Sequence, residues 1–383
     1  MKVLITWHAA VEPAYRKLYT ELSLKGVKLL AVAPTYWTEG CRLQSFKEKA
    51  QDSCYEWTVF NTVFTDRIRA FVYPNVFSLC WRVSRFNPDI FHIIEEPFSL
   101  SAAQFALIRD MFCPEAKIIL NSFENLDIYQ GFPFHYAQNF NLKRADALII
   151  APKEGRNIWE GRGFSRKIYH VPLGIDTKVF HPLDESELSP DNPFPMLNND
   201  IFKVGYVGRL TAEKGVNILV EAIHILKNNR NRVVLFLVGS GNLKKELEKK
   251  VCMLGLSQDV KFISHLEQHE LPVFLHHMDA LVLPSITTAW WKEQFGRVLV
   301  EAMACKVPVV GSSSGEIPNV VGDAGFIFEE GNAKALSESL GTLMRDETQR
   351  EQMVLKGLNR VKEMYTWSAV AERLIEIYKE ILR

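Results

Sequence analysis

No stretch of this chain approaches the ~20 consecutive apolar residues of a membrane span. The N-terminus, MKVLITWHAA, turns polar after a handful of apolar residues, too early for a secretory leader. The six cysteines (Cys41, Cys54, Cys80, Cys113, Cys252 and Cys305) lie far apart, with no Cys-x-x-Cys pair and no zinc-ligand spacing from a histidine. A reduced, cytoplasmic chain is therefore expected, in solution or at the inner face of a membrane. Neither sign of charge is in excess. The 45 Lys and Arg balance 45 Asp and Glu, so nothing steers the whole chain toward nucleic acid. Nor does any strand run into a Gly-x-Gly-x-x-Gly turn with an acid ~20 residues on, which excludes the usual dinucleotide dehydrogenase. Internal repeats and low-complexity tracts are missing too.

What is present is ordinary globular material, 47% hydrophobic and 23% charged over 383 residues, enough for two or three domains with proper cores. Short apolar runs alternate with amphipathic segments. Strands are predicted at Val3 to Ile5, Leu29 to Val32, Ile90 to Ile94, Lys117 to Leu120 and Ala147 to Ile150, with helices near Ala14 to Leu24 and Leu100 to Met111. Such alternation indicates a parallel sheet covered on both faces. At 181–200, HPLDESELSPDNPFPMLNND is rich in prolines and acids and reads as a linker. Beyond it the alternation restarts at Lys203 to Val207 and continues through VVLFLVG, KFI, ALVLP and VPVVG. The expected architecture is α/β, with one doubly wound domain over 1–180, a second over 201–366, and a closing helix over 367–383. Two such halves place a cleft at the C-terminal ends of their strands.

Two segments carry chemistry. In GYVGRLTAEKG a strand ends at Gly208, and Arg209 and Lys214 flank a turn into a helix. A glycine lets a ligand approach the backbone, and two cations suit a diphosphate. A bare turn with solvated cations is the alternative. In KEQFGRVLVEAMACKVPVV, Glu293 and Glu301 stand with seven residues between them. Phe295-Gly296 opens a helix, so the amides of Gly296, Arg297 and Val298 offer an anion site while Glu301 projects from the second turn. Simple capping acids would explain Glu293 but not the apolar surroundings of Glu301.

These segments, with the GSG after VVLFLV, LVLPS and GSSSGEIPNVVGDAGFIF, occur in the order found in glycosyltransferase family 4, and the stretch from Gly205 to Phe328 resembles that family. VPLGID and the closing TWSAVAERLIEIYKEIL resemble its domain junction and its terminal helix, which crosses back to the first domain. The resemblance implies a GT-B fold, two Rossmann-like domains facing a central cleft. It also implies a retaining, metal-independent transfer from a nucleotide diphosphate sugar (UDP- or GDP-linked) to a glycan, lipid-linked or small-molecule acceptor. No cofactor is implied beyond the nucleotide sugar itself. Arg209 and Lys214 match the cations that bind and stabilise the departing diphosphate, Glu301 the carboxylate on the ribose hydroxyls, and Glu293 the one on the donor sugar. Gly239 and Gly241 match glycines near the nucleotide. The chain offers no Asp-x-Asp-like acidic pair on a strand end and no histidine cluster to hold a metal.

Departures from the family concentrate in the first half. A glycine-rich first loop is replaced by WHAAVEPAYRK, and Glu124 stands where a catalytic histidine often follows the strand KIILNSFEN. HIIEEPFS places Glu95 and Glu96 at a strand end, either as acceptor-side carboxylates, one assisting deprotonation, or as solvated turn acids. Arg67 to Phe86 mixes arginines with aromatics, which suits either an anionic membrane surface or a structural helix. Trp290 and Trp291 precede Glu293; one is expected to pack and the other to wall the sugar pocket. The pair His276-His277 diverges on a helix end and is not expected to share a metal. The rival reading is a GT-B nucleotide-sugar isomerase or hydrolase.

Overall fold

The computed structural model describes residues 1–39, 42–47, 54–184 and 200–383; Cys41 and positions 185–199 of the expected linker lie outside the described residues. The chain divides into two compact units, Met1–Gly174 with Thr366–Arg383, and Ile175–Tyr365.

The first unit carries β1 (Lys2–Thr6), β2 (Lys28–Pro34), β3 (Tyr36–Glu39), β4 (Arg42–Ser45), β5 (Glu56–Phe60), β6 (Ile90–Ile93), β7 (Lys117–Ser122), β8 (Ala147–Ile150) and β9 (Lys167–His170). Seven of them form a sheet ordered β5-β2-β1-β6-β7-β8-β9, every neighbouring pair parallel, and β3 and β4 form a separate antiparallel ribbon. The central strands are buried on both faces, which is why they read as unbroken apolar runs. One face is covered by the helices Pro13–Leu24 and Trp367–Ile381, through Leu18, Leu22, Val370, Leu374 and Ile377. Leu79 and Val83 of the helix Val76–Phe86, with Phe105 and Ile108 of Leu100–Phe112, cover the other.

The second unit carries β10 (Phe202–Val207), β11 (Val233–Val238), β12 (Val260–Ile263), β13 (Ala280–Leu283), β14 (Val309–Ser312) and β15 (Gly325–Phe328), ordered β12-β11-β10-β13-β14-β15 and all parallel. In each unit the strand order reverses once, between β1 and β6 in the first and between β10 and β13 in the second. Loops diverge at such a point and leave room for a ligand beyond the strand ends. Four strands had no clear sequence signal. β5 and β15 are short edge strands, and EWTVF interleaves polar residues, while β3 and β4 stand apart from both parallel sheets.

The terminal helix is tied to the first sheet by a buried polar chain. His92, on β6, meets the Tyr378 hydroxyl at Nδ1 (2.6 Å) and Asn121 Oδ1 at Nε2 (2.6 Å). The asparagine oxygen can only accept, so Nε2 carries the hydrogen and Nδ1 receives the tyrosine proton. This is a neutral imidazole in both its roles, and burial lowers its pKa to about 4. The unfolded chain takes up a proton below the ordinary value of 6.5 while the folded chain resists it until about pH 4. Stability from this group is therefore full above pH 6.5 and falls as pH drops toward 4, by up to about 3 kcal/mol. Thermal melts of the wild type and His92→Gln over pH 4–7 should show a shallower acid-side decline in the variant. Parallel declines would refute the assignment.

Candidate active site

In the second unit, the reversal point is built from the loops after β10 and β13. After β10, Gly208–Thr211 lead into a single 3-10 turn, Ala212–Lys214, and Gly215 opens the helix Val216–Asn228 in a left-handed conformation (φ +63°). A β-carbon on Gly215 would lie 1.9 Å from the carbonyl oxygen of Pro284, just after β13. Beside it, the Ile286 amide donates to the Glu213 carbonyl (2.8 Å). The two loops are thus locked backbone to backbone, and only glycine fits the contact. The same holds for Gly239, whose β-carbon would meet the Gly208 carbonyl at 2.0 Å, and for Gly241 against the carbonyl of Leu210. The glycines expected beside a nucleotide therefore have a packing reason of their own.

This scaffold brings Lys214 against Glu293. The Nζ–Oε2 distance is 2.6 Å, both side chains are nearly buried, and the Ser285 hydroxyl donates to the same Oε2 (2.8 Å). The ring of Trp291 lies 4.6 Å from the lysine nitrogen and walls its other side, while Trp290 is largely exposed. Of the two tryptophans, Trp291 is the one that touches the candidate site. From the loop after β14, the Glu316 amide donates to the backbone carbonyl of Glu293 (3.0 Å) and fixes where that residue sits.

Arg209 is held differently. Its guanidinium is mostly exposed and, among the described residues, pairs with Glu213 at 3.3 Å, while its carbonyl accepts from the buried Tyr206 hydroxyl (2.6 Å). Burial, aided by the charge of Glu293, pushes the Tyr206 pKa well up, so this donor keeps its proton. The backbone of Arg209 is thus pinned by Tyr206, while its charge lies at the surface. Glu301 projects from the second turn of the helix Arg297–Ala304, buried and paired with Arg297 Nε at 2.8 Å. Burial raises its pKa and Arg297 opposes the shift. Of the four charged residues expected to converge, Lys214 and Glu293 touch, while Arg209, just after β10, pairs with Glu213, and Glu301, on its helix, pairs with Arg297. Phe295 is buried edge-on against Tyr365 (5.8 Å), so it can offer a ligand its backbone but not its ring. Gly296 (φ +80°) precedes the helix, and Val298 lies in its first turn, both where the sequence put them.

In the first unit, the reading of Glu95 and Glu96 as solvated turn acids is corrected, because both are buried. Glu95 accepts the His8 amide on Oε1 (2.7 Å) and meets His8 Nδ1 with Oε2 (2.6 Å). Glu96 accepts from the Ser122 hydroxyl (2.8 Å) and the Phe123 amide (2.7 Å); burial and the nearby charge of Glu124 raise its pKa. Glu124 is not a bare carboxylate either. Arg162 Nη1 lies 2.6 Å from it and Gln130 donates to it at 3.1 Å. Burial pushes Glu124 upward and Arg162 pulls it back. Sequence reasoning passed over His8 and Ser285. Each lies two residues past the end of a strand flanking a reversal point, and that position was the available signal.

Within Arg67 to Phe86 only Val76–Phe86 is helical; it turns Leu79 and Val83 into the core and leaves Phe77 and Trp81 exposed. Among the described residues, no group of three or more His, Cys, Asp or Glu side chains is placed to hold a metal ion. No helix of the described residues is long and apolar enough to cross a membrane.

Residues 192–360 match the family model of glycosyl transferases group 1, a span that contains Arg209, Lys214, Glu293 and Glu301. The chain is 32% identical over 214 residues to the capsular polysaccharide biosynthesis glycosyltransferase CapM of Staphylococcus aureus, covering 55% of this chain and 53% of that protein. It is 30% identical over 211 residues to a GDP-mannose-dependent monoacylated α-(1-6)-phosphatidylinositol monomannoside mannosyltransferase of Corynebacterium glutamicum, covering 54% and 55%. The chain thus spans about half the length of the relatives it matches. Among solved structures, Anabaena Alr3699/HepE in complex with UDP and glucose superposes with a TM-score of 0.70 at 18% identity, over 99% of this chain and 100% of that one. With the two doubly wound units, this identifies the fold as GT-B.

The locked loops generate a direct prediction. Gly215→Ala combines a left-handed alanine with a clash on Pro284, and should cost at least about 1–2 kcal/mol. Urea denaturation of wild type and variant measures it; equal midpoints would contradict the packing described here.

Proposed function

We propose that this chain, whose second unit carries a glycosyl transferases group 1 domain on a GT-B fold, is a retaining, metal-independent glycosyltransferase that uses a UDP- or GDP-linked sugar. The observation that carries the reading is the Lys214–Glu293 pair at the reversal point of the second sheet. A lysine held at a buried carboxylate is a positioned cation awaiting a better anion. A donor diphosphate offers more charge than one carboxylate and draws Lys214 from Glu293, and the exposed guanidinium of Arg209 adds a second cation. Glu293, still fixed by Ser285 and by its own backbone, then turns its oxygens to the hydroxyls of the donor sugar.

As the bond from anomeric carbon to diphosphate breaks, negative charge grows on the leaving phosphate. Cations already in place stabilise it without reorganising. Their presence is what supports a reaction without a metal ion. Glu301 exchanges Arg297 for the ribose hydroxyls, and Arg297, beside the first amides of its helix, is released toward the phosphates. The donor base is proposed as uracil or guanine because HepE was solved with UDP and the corynebacterial relative is named for GDP-mannose. The acceptor is a glycan, a lipid-linked saccharide or a small metabolite, bound by the first unit, where Glu95, Glu96 and Glu124 gather. The exposed Phe77 and Trp81, with Arg82 and Arg85 on the same helix, support contact with the inner face of an anionic membrane. The isomerase or hydrolase reading has no observation in its favour.

Thermal shift and nucleotide release, measured with a panel of nucleotide sugars with and without acceptors, test the reading. Stabilisation without acceptor-dependent release would favour the rival. Lys214→Ala should slow transfer by about a hundredfold, near 3 kcal/mol of transition-state stabilisation, with a smaller effect on donor affinity. Glu301→Ala should weaken donor binding about tenfold and leave turnover at saturation nearly intact. Normal kinetics in both variants would refute the site.

A further inference from the structure

In the first unit, the loops after β1 and β6 meet at the reversal point through one residue pair. Glu95 is fully buried and spends both oxygens on His8, one on its amide and one on Nδ1. An ionised carboxylate can only accept, so Nδ1 carries a hydrogen. The imidazole is wedged between Trp37 (ring centroids 4.6 Å) and Phe71 (5.9 Å), which fixes its plane. Nε2 has no partner among the described residues and keeps contact with solvent. In the neutral ring it is a bare lone pair, backed by a buried carboxylate and held rigid.

A second observation points the same way. Gln130 is buried, and its amide nitrogen donates to both Glu124 Oε1 and the Ile128 carbonyl (3.1 Å each), which settles the orientation of the amide. Its Oε1 is then buried with no donor. Leaving such an acceptor unsatisfied costs about 1–3 kcal/mol. Glu96 and Glu124 lie within electrostatic reach of one another and of this cluster, and Arg162 is committed to Glu124, Asp127 and the Ile128 carbonyl. The strand ends of β1, β6 and β7 therefore carry His8 Nε2 and Gln130 Oε1 as polar atoms without a protein partner among the described residues. Such atoms suit a neutral ligand rich in O–H groups.

We propose that this cluster binds a sugar ring of a carbohydrate ligand, with His8 receiving one of its hydroxyl groups at Nε2 and Glu95 acting as the positioning residue that holds the tautomer. Taking that sugar to be the acceptor rests on the glycosyltransferase reading; the binding itself does not. His8 thus replaces Glu95 as the group that meets the ligand.

The test uses the full chain and four named probes, the methyl α-glycosides of glucose, galactose, mannose and N-acetylglucosamine. The His8 Nε2 resonance, assigned among the ten histidines by its loss in His8→Asn, should shift saturably with at least one glycoside. In His8→Asn the side-chain amide takes the place of Nδ1 and keeps the bond to Glu95, but nothing replaces Nε2. That variant should keep its melting temperature and its affinity for UDP or GDP, while glycoside affinity, followed by saturation transfer to the sugar, falls at least tenfold. A purely structural His8 predicts unchanged glycoside binding in His8→Asn. That result, or a wild-type resonance that no glycoside moves, overturns the proposal. Failure of the wild type to bind UDP and GDP would instead count against the donor site, so the two failures are distinguishable.

Discussion

A lysine and a glutamate 79 residues apart meet at 2.6 Å with both side chains nearly buried, and the site of the second unit is arranged around that contact. Burying two charges costs several kcal/mol of desolvation each, so such a pair adds little to net stability, while losing either partner strands the other. It persists only where surrounding groups hold both ends. Ser285 shares the carboxylate, Trp291 covers the ammonium, and Glu316 pins the backbone of Glu293. Beneath them, the contacts of Gly215 on Pro284 and Gly239 on Gly208 set the spacing of the loops after β10, β11 and β13. The site is thus a product of backbone packing first and of side-chain charge second.

The first unit solves a related problem with different chemistry. Its reversal point is also bridged by a short side-chain contact between two strand-end loops, here His8 Nδ1 with Glu95 Oε2. The charge pattern differs. The second unit pairs Lys214, Arg209 and Arg297 with Glu293, Glu213 and Glu301, cations that a diphosphate can draw toward itself, whereas the first sets Glu95, Glu96 and Glu124 close together beside His8 and Arg162.

The alternation of strands and helices was readable in advance because strands buried on both faces must be apolar throughout, as in Leu281 to Leu283 or Val233 to Val238. Edge strands escape this rule, and β5 and β15 were missed for that reason. The helix start at Gly296 and the i, i+4 pair of Arg297 with Glu301 lie within one local segment, so sequence spacing carries them. Pairings that cross the fold left no local trace. His8 and Glu95 are 87 residues apart, and nothing near HIIEEPFS signals that its first glutamate is already engaged. Gly239 illustrates a subtler gap. A glycine required by a neighbouring carbonyl and one required by a nucleotide look alike in sequence, and only coordinates separate them.

The central claim is that Lys214 and Glu293 mark the place where a diphosphate-linked sugar is held. A crystal structure of the chain with UDP-glucose or GDP-mannose bound addresses it most directly. The account requires the diphosphate within hydrogen-bonding distance of Lys214 and Arg209, with the ribose against Glu301. A nucleotide bound elsewhere, with Lys214 still closed on Glu293 and no phosphate beside it, would contradict it.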